Sequence, residues 1–328
     1  MIVVTGGAGF IGSNLVAGLA GRGITDIAVA DRFRDGDKWR NLAKRELKAL
    51  VRPDDVLPFL DQHAAEVDVV FHMGAISATT ERDVDKIVAN NVALSMELWR
   101  WCAWRGARFI YASSAATYGD GTAGFDDDGS VEALAALRPL NPYGWSKHLF
   151  DRYVARAVLN GEPAPPQWAG LKFFNVYGPN ERHKGDMMSV VAKLHPALAA
   201  GQPARLFKSH RAGCADGGQA RDFIHVDDCV AVMLWLLDTP EVSGLFNVGT
   251  GKARSFKDLA EATFAALGMD PRIEYIDMPE QLRDKYQYFT QASTGRLRAA
   301  GFTHPFTELE EGVRRYVRDF LTQPDPYR

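Results

Sequence analysis

The sequence predicts an α/β protein: a doubly wound parallel sheet with a smaller, discontinuous α+β domain. Three observations carry this. The apolar run Ile2-Val3-Val4 leads straight into Thr5-Gly6-Gly7-Ala8-Gly9-Phe10-Ile11-Gly12, a strand followed by a glycine turn and a helix start. The next apolar run, Ile27 to Ala30, ends in an acid, Asp31. Strand-like runs then alternate with amphipathic helical stretches through the first half of the chain, the rhythm of βαβ units. Together they describe a Rossmann-type dinucleotide fold.

Gly6 permits the tight turn, Gly9 lets backbone approach a pyrophosphate, and Gly12 lets the helix pack on the sheet. The N–H groups opening that helix at Phe10 and Ile11 would hold phosphate. Further strands are predicted at Val67–Phe71, Arg108–Ala112 and Leu171–Phe174, with helices near 11–21, 82–104 and 143–158. Segments 120–142 and 160–169, rich in Gly, Asp, Ala and Pro, read as loops. Beyond Asn175-Val176-Tyr177-Gly178-Pro179 the rhythm is irregular. Short strands are expected at Arg205–Phe207, Phe223–Val226, Phe246–Val248 and Ile273–Ile276, and helices near 187–200, 228–238, 255–267 and 307–321. Ser209 to Ala220 reads as a mobile surface loop. The expected division is 1–174 with 222–250 for the dinucleotide domain, and 175–221 with 251–328 for the substrate domain.

Composition excludes several classes. With 328 residues, 46% hydrophobic, the chain can bury a large core. A formal net charge of -3 without a basic tract argues against nucleic acid and acidic membranes. Residues 1–4 read as a strand rather than a signal peptide, and the longest apolar stretch, Val230 to Leu237, falls far short of the ~20 residues of a membrane span. Cys102, Cys214 and Cys229 form no disulfide framework, so a cytoplasmic protein is expected. The histidines form no ligand pair, and no metal is expected. Trp99, Trp101 and Trp104 on one helix point to core or subunit contact.

Tyr143 and Lys147 form Y-x-x-x-K downstream of Ser113-Ser114. Four residues apart on a helix they share a face. At ~5 Å and an effective dielectric of ~20, the Lys147 charge favours tyrosinate by about 3 kcal/mol, or about two pKa units. A phenol so tuned exchanges a proton with a substrate hydroxyl while hydride moves to or from a nicotinamide, and Ser114 can hydrogen-bond the same oxygen. Ala115 and Ala116, directly after Ser114, cannot transfer protons, which argues against a 4,6-dehydratase; a non-catalytic dinucleotide sensor would not need Tyr143 and Lys147.

These residues resemble the extended short-chain dehydrogenase/reductase superfamily over nearly the whole chain, and within it the ADP-glycero-manno-heptose 6-epimerases of lipopolysaccharide core precursor synthesis. The motifs behind this are Val4 to Asn14, Tyr111-Ala112-Ser113-Ser114-Ala115-Ala116-Thr117-Tyr118-Gly119, Phe174 to Pro179, His183-Lys184-Gly185, Arg221-Asp222-Phe223 and Phe289-Thr290-Gln291-Ala292. The resemblance implies inversion at C6 of an ADP-linked heptose through a transient ketone, on one tightly bound NADP per subunit of a homo-oligomer. A hexose 4-epimerase or a net NAD(P)-dependent sugar-nucleotide reductase is the alternative. Lys184 occupies the place of a second acid/base, a role that requires its pKa to be lowered.

For the cofactor, the resemblance adds Lys38, Arg52, Asn90, Val176 and Lys184 to the glycine loop, with Met73-Gly74-Ala75-Ile76-Ser77 under the pyrophosphate and nicotinamide ribose. Asp31 suits the ribose hydroxyls of NAD, whereas Arg32 and Lys38 suit the extra phosphate of NADP; NADP is the expectation, with NAD open. For the nucleotide sugar it implies Ser114, Asn175, Phe207, Lys208, Ser209, His210, Arg221 and Tyr286. Asp186 and Lys193 depart from the family's usual residues at two further substrate positions, and Asp186 is expected to raise the pKa of Lys184.

Overall fold

The computed structural model describes residues 1–283 and 287–328. In chain order its strands are β1 (Ile2–Thr5), β2 (Ile27–Ala30), β3 (Ala49–Val51), β4 (Val69–His72), β5 (Arg108–Ser114), β6 (Trp168–Phe173), β7 (Asn175–Tyr177), β8 (Ala204–Phe207), β9 (Ala220–His225), β10 (Gly244–Val248), β11 (Ala253–Ser255) and β12 (Ile273–Ile276). Seven form one sheet in the order β10-β6-β5-β4-β1-β2-β3, every pair parallel. This is the Rossmann-type sheet the sequence predicts. The strand order reverses between β1 and β4, and the crevice beyond that switch is where such sheets take their ligands.

Alternate strand residues serve two cores, because successive side chains point to opposite faces. Val4, Val29, Phe71 and Ile110 pack with Leu15 and Leu19 of the helix Phe10–Gly21 and with Val230 and Met233 of the helix Val226–Asp238. Val3, Ala28, Val70 and Phe109 face Leu98 and Trp99 of the helix Leu94–Arg105 and Phe150 and Val154 of the helix Pro142–Leu159. Trp99 and Trp101 are core, while Trp104 is 74% exposed.

Beside the large sheet lie a three-stranded sheet, β11-β9-β7, and the parallel pair β12-β8. The helices Val190–Ala199, Phe256–Leu267 and Leu309–Tyr316 pack on them through Val191, Leu259 and Val313. The end of the chain folds back over the first. Lys44 donates to the Tyr327 carbonyl (2.7 Å) and pairs with Asp325 (2.8 Å). The Arg328 N–H donates to Asn180 Oδ1 (2.9 Å), and Asn180 Nδ2 donates to Ser13 Oγ (3.0 Å).

Several expectations change in detail. The stretch 120–142 contains a helix, Val131–Ala136, capped by Ser130. The long helix expected over 82–104 is interrupted by a π-helical segment, Val88–Ala93. Strand β3 and the helix Val56–Gln62 escape the sequence reading.

Candidate active site

The glycine turn is built for close approach. Gly6 has φ +66°, and a Cβ there would lie 2.5 Å from Gly74 N and Cα, so the turn rests directly on the segment after β4. A Cβ on Gly12 would lie 2.2 Å from the Gly6 carbonyl oxygen. Gly6 N–H donates to the Ala30 carbonyl (2.8 Å), fixing the turn at the end of β2. The cradle left by these missing side chains fits a pyrophosphate at the start of the helix Phe10–Gly21.

Of the other residues expected at a cofactor, those after β4 lie against this turn. Met73 N–H donates to the Thr5 carbonyl (3.0 Å), Gly74 N–H to Thr5 Oγ1 (3.2 Å) and Ile76 N–H to Asn91 Oδ1 (2.8 Å), while Ala75 is half-buried and Ser77 exposed beside them. Asp31 is buried. Its carboxylate accepts from the Ala8 N–H (2.8 Å) and the Arg32 N–H (2.6 Å), and is paired with Lys38. One oxygen of this acid, the residue expected at the ribose, thus bonds the glycine turn, and the other bonds Arg32 and Lys38. Arg32 reaches Asn90 Oδ1 (3.3 Å) and Asp54, and Arg52 is exposed on Asp55 (2.7 Å).

Asn91, unremarked in the sequence, is the buried member of its pair. It bonds Ile76 through both backbone groups and donates to Ser146 Oγ (3.1 Å). The π-helical turn that contains it is a geometry frequent at functional sites. His72, at the end of β4, exchanges hydrogen bonds with Thr5 (2.6 Å) and Ser95 (2.9 Å), and burial lowers its pKa to about 3.

Tyr143 sits in the first turn of the helix Pro142–Leu159. Asn141 caps it, accepting from the Gly144 N–H (2.8 Å), and Pro142 suits a first helical position. A Cβ on Gly144 would meet the Ala116 carbonyl at 2.6 Å, so this turn lies hard against the segment that follows β5. Ser114, at the end of β5, accepts from the Ala116 N–H (3.1 Å), and its hydroxyl acts on the Tyr143 phenol to lower its pKa. Lys147, one helical turn beyond Tyr143, is buried, and desolvation pulls its pKa down to about 8.

One expectation is corrected here. The phenol of Tyr143 is not drawn towards neutrality: burial raises its pKa, the Ser114 hydrogen bond opposes that, and the Asp151 carboxylate adds to the rise. Desolvation acts on the charged form of both members of the Y-x-x-x-K pair, a cost that a solvent-exposed pair would not carry.

Lys184 stands in a short 3-10 segment, Arg182–Met187, kinked at Gly185. Its ammonium lies 4.9 Å from the centre of the Phe10 ring, at the glycine turn, and 4.0 Å from buried Glu181. Burial lowers its pKa, Glu181 works against this, and Lys193 supports it. The acid acting on Lys184 is therefore Glu181 and not Asp186, which is exposed. His183 is held by Asn41 (3.2 Å), and burial lowers its pKa to about 4.

The residues expected at the nucleotide sugar are spread over the smaller sheets. Asn175 is exposed and Val176 half-buried on β7, Lys193 is exposed on its helix, and Phe207 ends β8. Lys208 pairs with Asp277 (3.2 Å), the Ser209 N–H donates to Asp216 (2.7 Å) and the His210 N–H to the Tyr288 hydroxyl (3.0 Å). Arg221, on β9, is buried with its guanidinium 5.6 Å from the Phe256 ring. Asp222 faces the other way. Its carboxylate accepts from the N–H groups of Thr250 (2.7 Å), Gly251 (2.9 Å) and Ala292 (2.9 Å) and from the Thr250 hydroxyl (2.7 Å). Tyr286 lies outside the described residues.

A parallel sheet with a glycine cradle at its switch point, with Ser114 at the end of β5 and Tyr143 and Lys147 on the helix Pro142–Leu159, defines a dinucleotide-dependent enzyme class. The chain belongs to the NAD dependent epimerase/dehydratase family, which it matches over residues 2–249. It is 53% identical to the ADP-L-glycero-D-manno-heptose-6-epimerase of Nitratidesulfovibrio vulgaris, over all of both chains. The crystal structure of the Helicobacter pylori ADP-L-glycero-D-manno-heptose-6-epimerase is similar with a TM-score of 0.79 and 27% identity, over 97% of this chain and 95% of that one. That of Thermus thermophilus UDP-glucose 4-epimerase in complex with NAD gives 0.73 and 26%, over 96% and 97%.

Proposed function

We propose that this chain is an ADP-glycero-manno-heptose 6-epimerase that holds NADP and works in the cytoplasm on lipopolysaccharide core precursors. The observation that carries the reading is the presence of two proton-transfer groups of different chemistry. Tyr143 stands where the Ser114 hydroxyl acts on its phenol, and Lys184 is held at the glycine turn with its ammonium form disfavoured. Inversion needs a proton removed from, and returned to, a sugar oxygen in two orientations, which two such groups supply. Full-length identity to named heptose epimerases fixes the substrate class of the proposal.

In this mechanism 1–174 with 222–250 carries the dinucleotide, and 175–221 with 251–328 carries the nucleotide sugar. A bound nicotinamide supplies reversible hydride uptake from C6. Tyr143 exchanges the C6 hydroxyl proton, with Ser114 bonding the same oxygen and Lys147 buried one helical turn away. Lys184, in its ammonium form, would give a proton to the same oxygen in its other orientation, and Tyr143 would release its proton to solvent as Lys184 regains one. Arg221 is assigned to the diphosphate. Ala115 and Ala116, beside Ser114, offer no acid or base for an elimination.

The choice of NADP rests on Asp31. Paired with Lys38 and turned to Ala8, it offers little repulsion to a 2′-phosphate, and Arg32 adds positive charge at the same edge. The test is to identify the nucleotide released on denaturation and to follow C6 stereochemistry of ADP-heptose by NMR. Tyr143→Phe and Lys184→Ala should each block inversion. Net accumulation of reduced dinucleotide would overturn the epimerase reading, and a Lys184→Ala protein changed only in KM would make Lys184 a phosphate ligand.

A further inference from the structure

Behind the Ser114–Tyr143 pair lies an ion pair with no place in the mechanism above. Asp151 and Lys172 are fully buried, and Lys172 Nζ lies 2.8 Å from Asp151 Oδ2. An isolated buried charge is costly, so a pair like this persists only with its remaining hydrogen bonds satisfied. Here Ser113, next to the reactive serine, and Tyr111, three residues before it, satisfy the carboxylate. Ser113 Oγ donates to Asp151 Oδ2 (2.7 Å), and the Tyr111 hydroxyl donates to Oδ1 (3.1 Å). On the other side, Lys172 Nζ donates to Thr117 Oγ1 (2.8 Å), and Thr117 Oγ1 donates to the Ser114 carbonyl (2.8 Å). Asp151 belongs to the helix of Tyr143, two turns further along, and Lys172 belongs to β6.

We propose that Asp151 and Lys172 form a positioning pair that clamps Ser114 from both sides and ties it to the helix carrying Tyr143. The proposal rests on the reading of Ser114 and Tyr143 as reacting groups. Neither member touches substrate in this scheme. Asp151 raises the Tyr143 pKa and Lys172 carries the opposite charge beside it, and among the described residues the other titratable groups facing Asp151 are Tyr111 from β5, Tyr118 from the turn after it, and Lys147 and His148 on its own helix.

The test uses the dinucleotide-loaded protein and reads the Tyr143 phenolate by ultraviolet titration, with a Tyr143→Phe protein subtracted. Eight residues along a helix is about 12 Å, where one charge moves a titration by about one pH unit at an effective dielectric of ~20. Asp151→Asn should lower the Tyr143 titration by about that much, Lys172→Met should raise it, and the double variant should return it to the wild-type value. Shifts in one direction for both single variants, or none, would overturn the proposal. If the single variants do not fold, Ser113→Ala keeps both charges and should lower kcat about tenfold at constant KM; an unchanged kcat refutes the clamp. Opposite titration shifts in a protein that does not turn over ADP-heptose would leave the clamp standing and remove the substrate assignment.

Discussion

Replacing Gly12 with Ala tests the glycine cradle directly. Within a helix that exchange normally stabilises by about 0.5–1 kcal/mol, since alanine loses less backbone freedom. Here the added Cβ would meet the Gly6 carbonyl oxygen at 2.2 Å, and Gly6 C and Gly7 Cα at 2.9 Å. All three are backbone atoms. The oxygen would have to retreat by roughly 1 Å to reach ordinary contact. That oxygen also accepts the Gly9 N–H (2.9 Å), a bond worth about 0.5–1.5 kcal/mol net. Overpacking of this kind costs about 1–3 kcal/mol, more than the helical gain. Because the strain falls on the turn, it should appear as about a 5- to 150-fold weaker dinucleotide affinity. Calorimetric titration of protein stripped of its nucleotide measures it. Gly21→Ala, where the added atom meets nothing within 4 Å, is the control. A Gly12→Ala protein that binds within twofold of wild type would refute the cradle.

Other perturbations have equally definite outcomes. Lys38→Ala should weaken NADP binding about tenfold while leaving NAD nearly unchanged, read by parallel titrations; equal losses would place Lys38 in support of Asp31 alone. Asp222→Ala would strand three backbone N–H donors, each at about 1–3 kcal/mol, and should lower the urea midpoint sharply. Burial lowers His72 to about 3 and His183 and His225 to about 4, from 6.5. The unfolded chain therefore binds more protons below pH 6.5, and stability is lost as pH falls from there towards about 4, by up to about 1.4 kcal/mol per pH unit for each histidine. A Tm constant across that window would contradict the buried neutral histidines.

The parallel sheet was legible because its strands are buried on both faces and so appear as unbroken apolar runs. Strand β3 lacked that mark: its three residues are half-buried or exposed at the sheet edge, and a three-residue strand shows no period. The helix Val131–Ala136 was hidden by the Gly- and Asp-rich residues around it, although Ser130 and Glu132 are ordinary features of a helix start. The glycine turn and the Y-x-x-x-K spacing are local patterns, and their residues were readable one by one. Groups that act through tertiary contact were not. Glu181 follows a loop motif as an unremarkable polar residue, yet it is the acid beside Lys184. Lys172 interrupts an apolar strand, a departure that signals a buried partner, but its partner Asp151 lies on another element. Asn90 and Asn91 are adjacent and chemically identical, so only the helix phase separates the half-buried one from the buried one.

The contacts between the chain's last residues and its first have a consequence for how the protein is made. Strand β1 and the glycine turn leave the ribosome early, but Asn180, which bonds Ser13, is itself held by the Arg328 N–H, and Lys44 is held by Asp325 and Tyr327. The edge strand β10 is also late, and the helix after β9 covers the helix that follows the glycine turn. Translation at about 5–20 residues per second leaves that first strand without its final neighbours for many seconds. Through that interval the nascent chain exposes the apolar strand surface that the helix Val226–Asp238 covers in the finished fold.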